Sequence, residues 1–267
     1  MSSRLHFIAG LPRSGSTLIA AILRQNPAIH ATMSSPVAEV VRAVLRATND
    51  PQEFAMFVSD HQRKAMVRSV IDAYYQSIGS PLVFDTNRTW CGMLGILAEL
   101  FPAARVVCCV RSPAWIMDST ERFIQRDPFK SSRLFNYDLS MTVYDRIQAM
   151  NRGAYLGAAL NSLRQAWFGE HANKLVVIRY DSLVGRPNEV MRGLYEVLGE
   201  PYYDHDFENV EYQEPEFDRF LGLPGFHTVI QKVEPRHRET CLPAELFQQN
   251  VRCFWDDDGN PRNVTVL

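Results

Sequence analysis

Residues Leu5–Ile19, Leu-His-Phe-Ile-Ala-Gly10-Leu-Pro-Arg13-Ser-Gly15-Ser-Thr17-Leu-Ile, constrain the fold more than any other stretch. A β-rich run gives way to a loop bounded by Gly10 and Gly15, and a helical pattern begins at Ser16. Strand, tight loop and helix N-terminus in succession aim several backbone N–H groups at one point, which is how proteins cradle phosphate-like anions. The spacing fits the phosphate loop G-x-x-x-x-G-[KST]-[ST], with one departure. Ser16 stands where nucleotide triphosphatases carry the lysine that reaches the β- and γ-phosphates, and the cation is instead Arg13, inside the loop. That exchange argues against ATP hydrolysis.

Four β-rich runs, Leu5–Ala9, Pro81–Phe84, Arg105–Val110 and Lys174–Tyr180, recur between helical patterns. Such alternation implies βαβ units, hence an α/β fold of three layers: a central parallel sheet flanked by helices, with ligands at the strand C-terminal ends. Helices are expected over Ser16–Gln25, as one long amphipathic run over Pro51–Ile78, over Trp90–Leu100, from Pro113 onward, and over Tyr155–His171 and Pro187–Leu198. Beyond Pro201 the pattern loosens. Residues 1–267 therefore read as one domain whose irregular C-terminal extension, about 201–267, serves as a lid or substrate-side element.

A chain of 267 residues with 46% hydrophobic content can bury one such core. A net charge of −2 gives no general attraction to nucleic acid or anionic membrane, so any basic site must be local. No apolar run reaches the ~18 residues of a membrane span, and the first strand begins too early to leave room for a secretory leader. The expectation is a soluble, cytoplasmic protein. Its five cysteines are odd in number, form no C-x-x-C pair, and place Cys108-Cys109 inside a strand. They read as thiols in a reducing compartment, not as a disulfide framework or zinc site. Trp255-Asp-Asp-Asp258-Gly lacks the ligand spacing of a calcium loop and reads as an exposed acidic turn.

A second anion grip follows from Arg105-Val-Val-Cys-Cys-Val110-Arg111-Ser112-Pro113, with Ser119 eight residues beyond Arg111. An arginine at the end of a buried strand, followed by a helix that carries a serine, offers a bidentate fork and a hydroxyl to another phosphate. Taken alone, Arg111 is equally a strand-end arginine paired with a carboxylate.

Pro12-Arg13-Ser14-Gly15-Ser16-Thr17 resembles the donor loop of sulfotransferases that use 3′-phosphoadenosine 5′-phosphosulfate (PAPS), closest to the bacterial and tyrosylprotein branches. The strand-Arg111-Ser-Pro segment with Ser119 resembles that family's 3′-phosphate site, with Ser112 in place of the usual Asp or Asn. Val177-Ile-Arg179-Tyr180-Asp181-Ser-Leu183 and the run to Gly199 resemble a third family segment, which sets Tyr180 near the donor nucleotide or, equally, as a cap on a core strand. The matches cover residues 5–25, 82–122 and 175–199 in order. The resemblance implies transfer of a sulfuryl group from PAPS to a small-molecule or glycan hydroxyl, leaving 3′-phosphoadenosine 5′-phosphate (PAP), without a metal. It assigns the donor to Arg13, Ser14, Gly15, Ser16, Thr17, Arg111, Ser119 and Tyr180. Lys232, after Gly225-Phe-His227, adds charge near the 3′-phosphate, with Arg236 and Arg238 as further cations or as a solvated basic turn.

Sulfuryl transfer, like phosphoryl transfer, runs through a loose in-line transition state that needs charge stabilisation and a base. Arg13 suits the leaving group and Arg88 the transferred group. Asp85, at the end of the second β-rich run, is the first candidate base, or else a partner that holds Arg88 or Arg13. Glu39 is the second candidate. Two other readings stand beside this one. A phosphate-loop small-molecule kinase would need a Mg²⁺-binding Asp, for which only Asp85 qualifies, and a nucleotide-binding module would bind the donor without turnover.

Overall fold

The computed structural model describes residues 4–49, 52–153, 155–256 and 263–267, so part of the acidic turn after Asp256 lies outside it. The described strands are β1 (Arg4–Gly10), β2 (Ile29–Ala31), β3 (Leu82–Thr86), β4 (Val106–Val110), β5 (Leu175–Arg179), β6 (Val210–Tyr212), β7 (Val229–Gln231) and β8 (Thr265–Val266). The helices are α1 (Ser16–Leu23), α2 (Val37–Ala47), α3 (Asp60–Tyr75), α4 (Leu94–Leu100), α5 (Pro113–Gln125), α6 (Val143–Arg152), α7 (Gly157–Phe168), α8 (Tyr180–Gly185), α9 (Pro187–Leu198), α10 (Pro215–Phe220) and α11 (Ala244–Asn250).

Six strands form one all-parallel sheet in the order β2-β3-β1-β4-β5-β8. Both faces are covered, and the period of two along each strand sorts its side chains between two cores. Phe7, Val83, Val106, Cys108, Leu175 and Val177 face one core with Trp90, Leu97, Leu163 and Trp167. Ile8, Phe84, Val107, Cys109, Val176 and Ile178 face the other with α1, α8 and α9 residues such as Ile19, Leu183 and Leu194. The expected three-layer α/β architecture is thus present. Chain order reverses beside β1, which pairs with β3 on one side and β4 on the other, and a cleft opens at such a switch point.

Two expectations need correction. The run 51–78 is not one helix: a 3₁₀ turn (Glu53–Phe57) precedes α3, which starts afresh at Ser59 because Ser59 and Gln62 form a reciprocal capping box. The run from Trp90 begins as a 3₁₀ turn (Arg88–Met93) before α4. The C-terminal extension divides its roles. β6 and β7 pair antiparallel beside α1, α10 stands between them in sequence, and Thr265–Val266 joins the main sheet next to β5. Among the described residues no helix is long and apolar enough to cross a membrane.

Candidate active site

The loop after β1 is held by backbone constraints that only certain residues meet. Gly10 has φ +142°, and a Cβ there would lie 2.5 Å from the Cys109 carbonyl oxygen, so β1 turns against β4 only with glycine. Leu11 N–H donates to that same carbonyl at 3.0 Å, and the Ser14 hydroxyl lies 2.7 Å from it. Ser14 thus turns its side chain inward and can offer an anion only its backbone. Gly15, at φ +101°, caps α1 without any side-chain bond, which leaves the first-turn amides open to the cleft.

A cavity of about 240 Å³ fills the space beyond this loop, lined by the loop, Thr86, Asn87, Arg88, Arg111, Ser119, Tyr180, Phe226 and His227 among others. Of the residues singled out in the sequence, Arg13, Gly15, Ser16, Thr17, Arg88, Arg111, Ser119 and Tyr180 therefore share one wall-to-wall site. Arg13 Nε donates to Ser119 Oγ at 3.2 Å, which ties the phosphate loop to α5. Arg111 lies 4.2 Å over the Tyr180 ring and forms no ion pair among the described residues. Its Nε is buried with no hydrogen-bond partner among the described residues, as is the Thr86 hydroxyl. Burial lowers the pKa of both Arg13 and Arg111, yet a guanidinium so perturbed keeps its charge at neutral pH.

Three assigned residues stand elsewhere. Asp85 is fully buried beneath the cleft and accepts from Tyr75 Oη (2.6 Å), Trp90 Nε1 (2.7 Å) and Ser35 Oγ (2.8 Å). Burial pushes its carboxyl above the usual range, but no acceptor hydroxyl can reach it. It holds neither Arg88 nor Arg13. The reason is strand alternation: Asp85 shares the face of Val83, which looks into the core that contains Tyr75 and Trp90. Glu39 is exposed on α2 and paired with Arg42, and it does not line the cleft. Lys232 is exposed, pairs with Glu208 at 2.9 Å, and is likewise off the cleft wall. Arg238 is engaged by the buried Asp118 at 2.6 Å.

The group that sequence reasoning missed is His227. Its Nδ1 lies 2.6 Å from Oδ1 of Asp218, a fully buried carboxylate that also accepts from the His227 backbone N–H at 3.0 Å. An ionised carboxylate only accepts, so Nδ1 carries the proton and Nε2 is the free base nitrogen of a ring that lines the cleft. Burial lowers the imidazole pKa, Arg13 and Arg88 act in the same direction, and Asp218 opposes them. The ring is therefore neutral at pH 7. Gly222 and Gly225, both at positive φ, turn the chain so that Asp218 and His227 meet across nine residues.

The cleft thus lies between the glycine-bounded loop, with Arg13 in it, and the ends of β3 and β4 in an open, all-parallel α/β sheet. The chain belongs to the sulfotransferase family, whose sequence profile matches residues 6–204. Similar solved structures include the sulfotransferase domain from the curacin biosynthetic pathway, 18% identical over 76% of each chain with a TM-score of 0.48. The sulfotransferase STF9 from Mycobacterium avium is 18% identical over 75% of this chain and 65% of its own, TM-score 0.47. A sulfotransferase from Alicyclobacillus acidocaldarius is 16% identical over 83% and 90%, TM-score 0.48. No curated protein sequence matches the chain.

Proposed function

We propose that the chain moves a sulfuryl group from PAPS to an acceptor hydroxyl and releases PAP. The observation that carries this reading is the Arg111 guanidinium, buried with an unpartnered Nε in the same cleft as the glycine-bounded loop. An ordinary nucleoside 5′-phosphate occupies only the loop. A donor phosphorylated at both the 5′ and 3′ positions satisfies both grips, and a buried guanidinium donor without a partner is costly to keep.

In this reading the open amides of α1, with the Ser16 and Thr17 hydroxyls and Arg13, hold the 5′-phosphosulfate, while Arg111 and Ser119 hold the 3′-phosphate over Tyr180. His227 Nε2 takes the acceptor proton as the new S–O bond forms. The bridging S–O bond breaks in line, and its electron pair leaves on the PAP phosphate beside Arg13. Asp218 keeps the imidazole in the required tautomer and steadies the imidazolium. Arg88, which donates to the Tyr155 carbonyl at 3.3 Å and borders the cleft, offsets charge on the group in flight.

Thermal-shift titrations with PAP, 5′-AMP and ATP test the donor, since stabilisation tracks ligand affinity. PAP is expected to give the largest shift. Equal shifts from all three, or an ATP preference that depends on Mg²⁺, would overturn the reading in favour of a generic nucleotide site or a kinase.

A further inference from the structure

A second cavity, of about 180 Å³, lies at the start of α5 and shares no lining residue with the cleft. Its walls come from the end of α6, the first turns of α7 and residues 252–255 of the C-terminal extension. Arg164 and Arg252 both line it, and no carboxylate does. Arg164 lies 5.1 Å over the Phe254 ring, and neither arginine has an ion pair among the described residues. In a chain whose net charge is −2, two guanidiniums in one space without a counter-ion are a local concentration of like charge. Their repulsion is relieved when an anion lies between them.

The wall beside these cations is apolar and fixed. Phe254 packs edge-on against Trp167 and Trp255, with ring centroids 5.8 and 4.9 Å apart, and the Trp255 carbonyl accepts from Arg179 Nη2 at 2.8 Å. Leu160 and Pro113 extend that wall. Cys253 also lines the cavity, but burial pushes its thiol up to about 12, so it supplies no nucleophile at neutral pH. The arrangement is one that binds and does not react.

We infer that this cavity is a second ligand site, separate from the donor and acceptor positions, for a compact organic anion: a carboxylate or sulfate ester on a short aryl or alkyl body. The two guanidinium forks take the head group while the body packs on Phe254 and Leu160. An inorganic anion would leave the apolar wall in water, and a neutral body would leave the cations unrelieved. The site adjoins the strand end that carries Arg111. Ser112 Oγ, one residue on, donates to the carbonyl of Val251, the neighbour of Arg252, at 3.1 Å.

Calorimetric titration of the full chain with benzoate, phenyl sulfate, inorganic sulfate and benzyl alcohol tests the inference. Benzoate or phenyl sulfate is expected to bind, and the tighter of the two names the head group. Inorganic sulfate and benzyl alcohol should bind at least tenfold more weakly. Arg164→Ala and Arg252→Ala, both at exposed positions, should keep the wild-type Tm and each weaken the organic anion about tenfold or more. Failure of both organic anions to bind, equal binding of inorganic sulfate, or affinity unchanged in both variants overturns the inference. Displacement of the bound anion by PAP would place it in the cleft and overturn it as well.

Discussion

The Arg13 guanidinium lies 4.3 Å over the Phe226 ring and donates to the Phe226 carbonyl, one residue before His227. The loop cation thus also fixes the turn that presents the proposed base, although the two are more than two hundred residues apart in sequence. This coupling needs a planar fork that can stack and donate in two directions, toward Ser119 and toward Phe226. Arg13→Lys keeps the charge and loses that geometry. We expect a fall of roughly 10²-fold in kcat/KM, of the size that follows small displacements of catalytic groups. Steady-state kinetics on the variant check this, and wild-type rates would contradict the positioning role.

A narrower effect is expected at Arg111. Charge-assisted hydrogen bonds contribute about 1.5–3 kcal/mol, so Arg111→Ala should weaken PAP by roughly 10- to 100-fold. Its affinity for 5′-AMP should hardly change, because the loop and α1 are untouched. Calorimetric titration of both nucleotides reads the difference. Parallel losses for both would mean that Arg111 supports the loop and does not grip a 3′-phosphate.

The pattern of what the sequence disclosed follows from how local each signal is. Strands β1, β3, β4 and β5 each carry a mostly buried, largely apolar run, and α9 carries Pro187 at its start and Gly199 in the left-handed conformation at its end, so these were visible. Strands β2, β6, β7 and β8, of two or three residues, are too short to display a period. The start of α3 at Ser59 was missed because Phe54 and Phe57 imitate a continuing helical stripe while being exposed. Arg13 and Arg111 were legible because loop and strand end place them directly. Asp85 misled because its position at a strand end is right while its face of the strand is wrong. The Asp218–His227 pair is local in sequence, but its place in the cleft depends on the C-terminal extension packing against the phosphate loop, where Arg13 meets Phe226, a long-range contact.

The His227 assignment predicts a pH response with a definite sign. In the donor-free protein the imidazole titrates below the ordinary histidine value of 6.5, since burial and two arginines oppose its charged form. Asp218 is the group that raises it, so Asp218→Asn lowers that pKa further. The kcat acid limb then moves to lower pH even as kcat falls by about 10²-fold or more. NMR titration of the ring and a pH–rate profile make the two measurements. A fall in rate without movement of the limb would indicate mere loss of structure.

Asp85 is expected to matter for stability and not for chemistry. Removing its carboxylate leaves Tyr75, Trp90 and Ser35 donors unsatisfied in a site closed to water. Asp85→Ala should cost roughly 3–5 kcal/mol, and Asp85→Asn, which keeps one acceptor oxygen, distinctly less. Urea unfolding gives the values. Turnover per folded molecule in Asp85→Asn should persist, and its abolition at unchanged stability would contradict this scaffolding role.

The tightest constraint on the loop is at Gly10, and it separates two costs that glycine substitutions usually mix. At Gly79, φ is +71° but a Cβ would meet nothing within 4 Å, so Gly79→Ala carries only the conformational penalty, about 1–2 kcal/mol. At Gly10 a Cβ would meet the Cys109 carbonyl oxygen at 2.5 Å and its nitrogen at 2.9 Å, backbone atoms that no side-chain rotation can move. Relief requires β1 and β4 to separate where Leu11 and Ser14 both bond to Cys109. Gly10→Ala should therefore cost roughly 3 kcal/mol or more. It should also reduce PAP affinity, because the displaced strand end carries the loop with it, whereas Gly79→Ala should leave PAP binding intact. Unfolding curves and PAP titrations on the two variants decide the matter. Equal nucleotide affinity in both would mean that the loop keeps its shape independently of its close approach to β4.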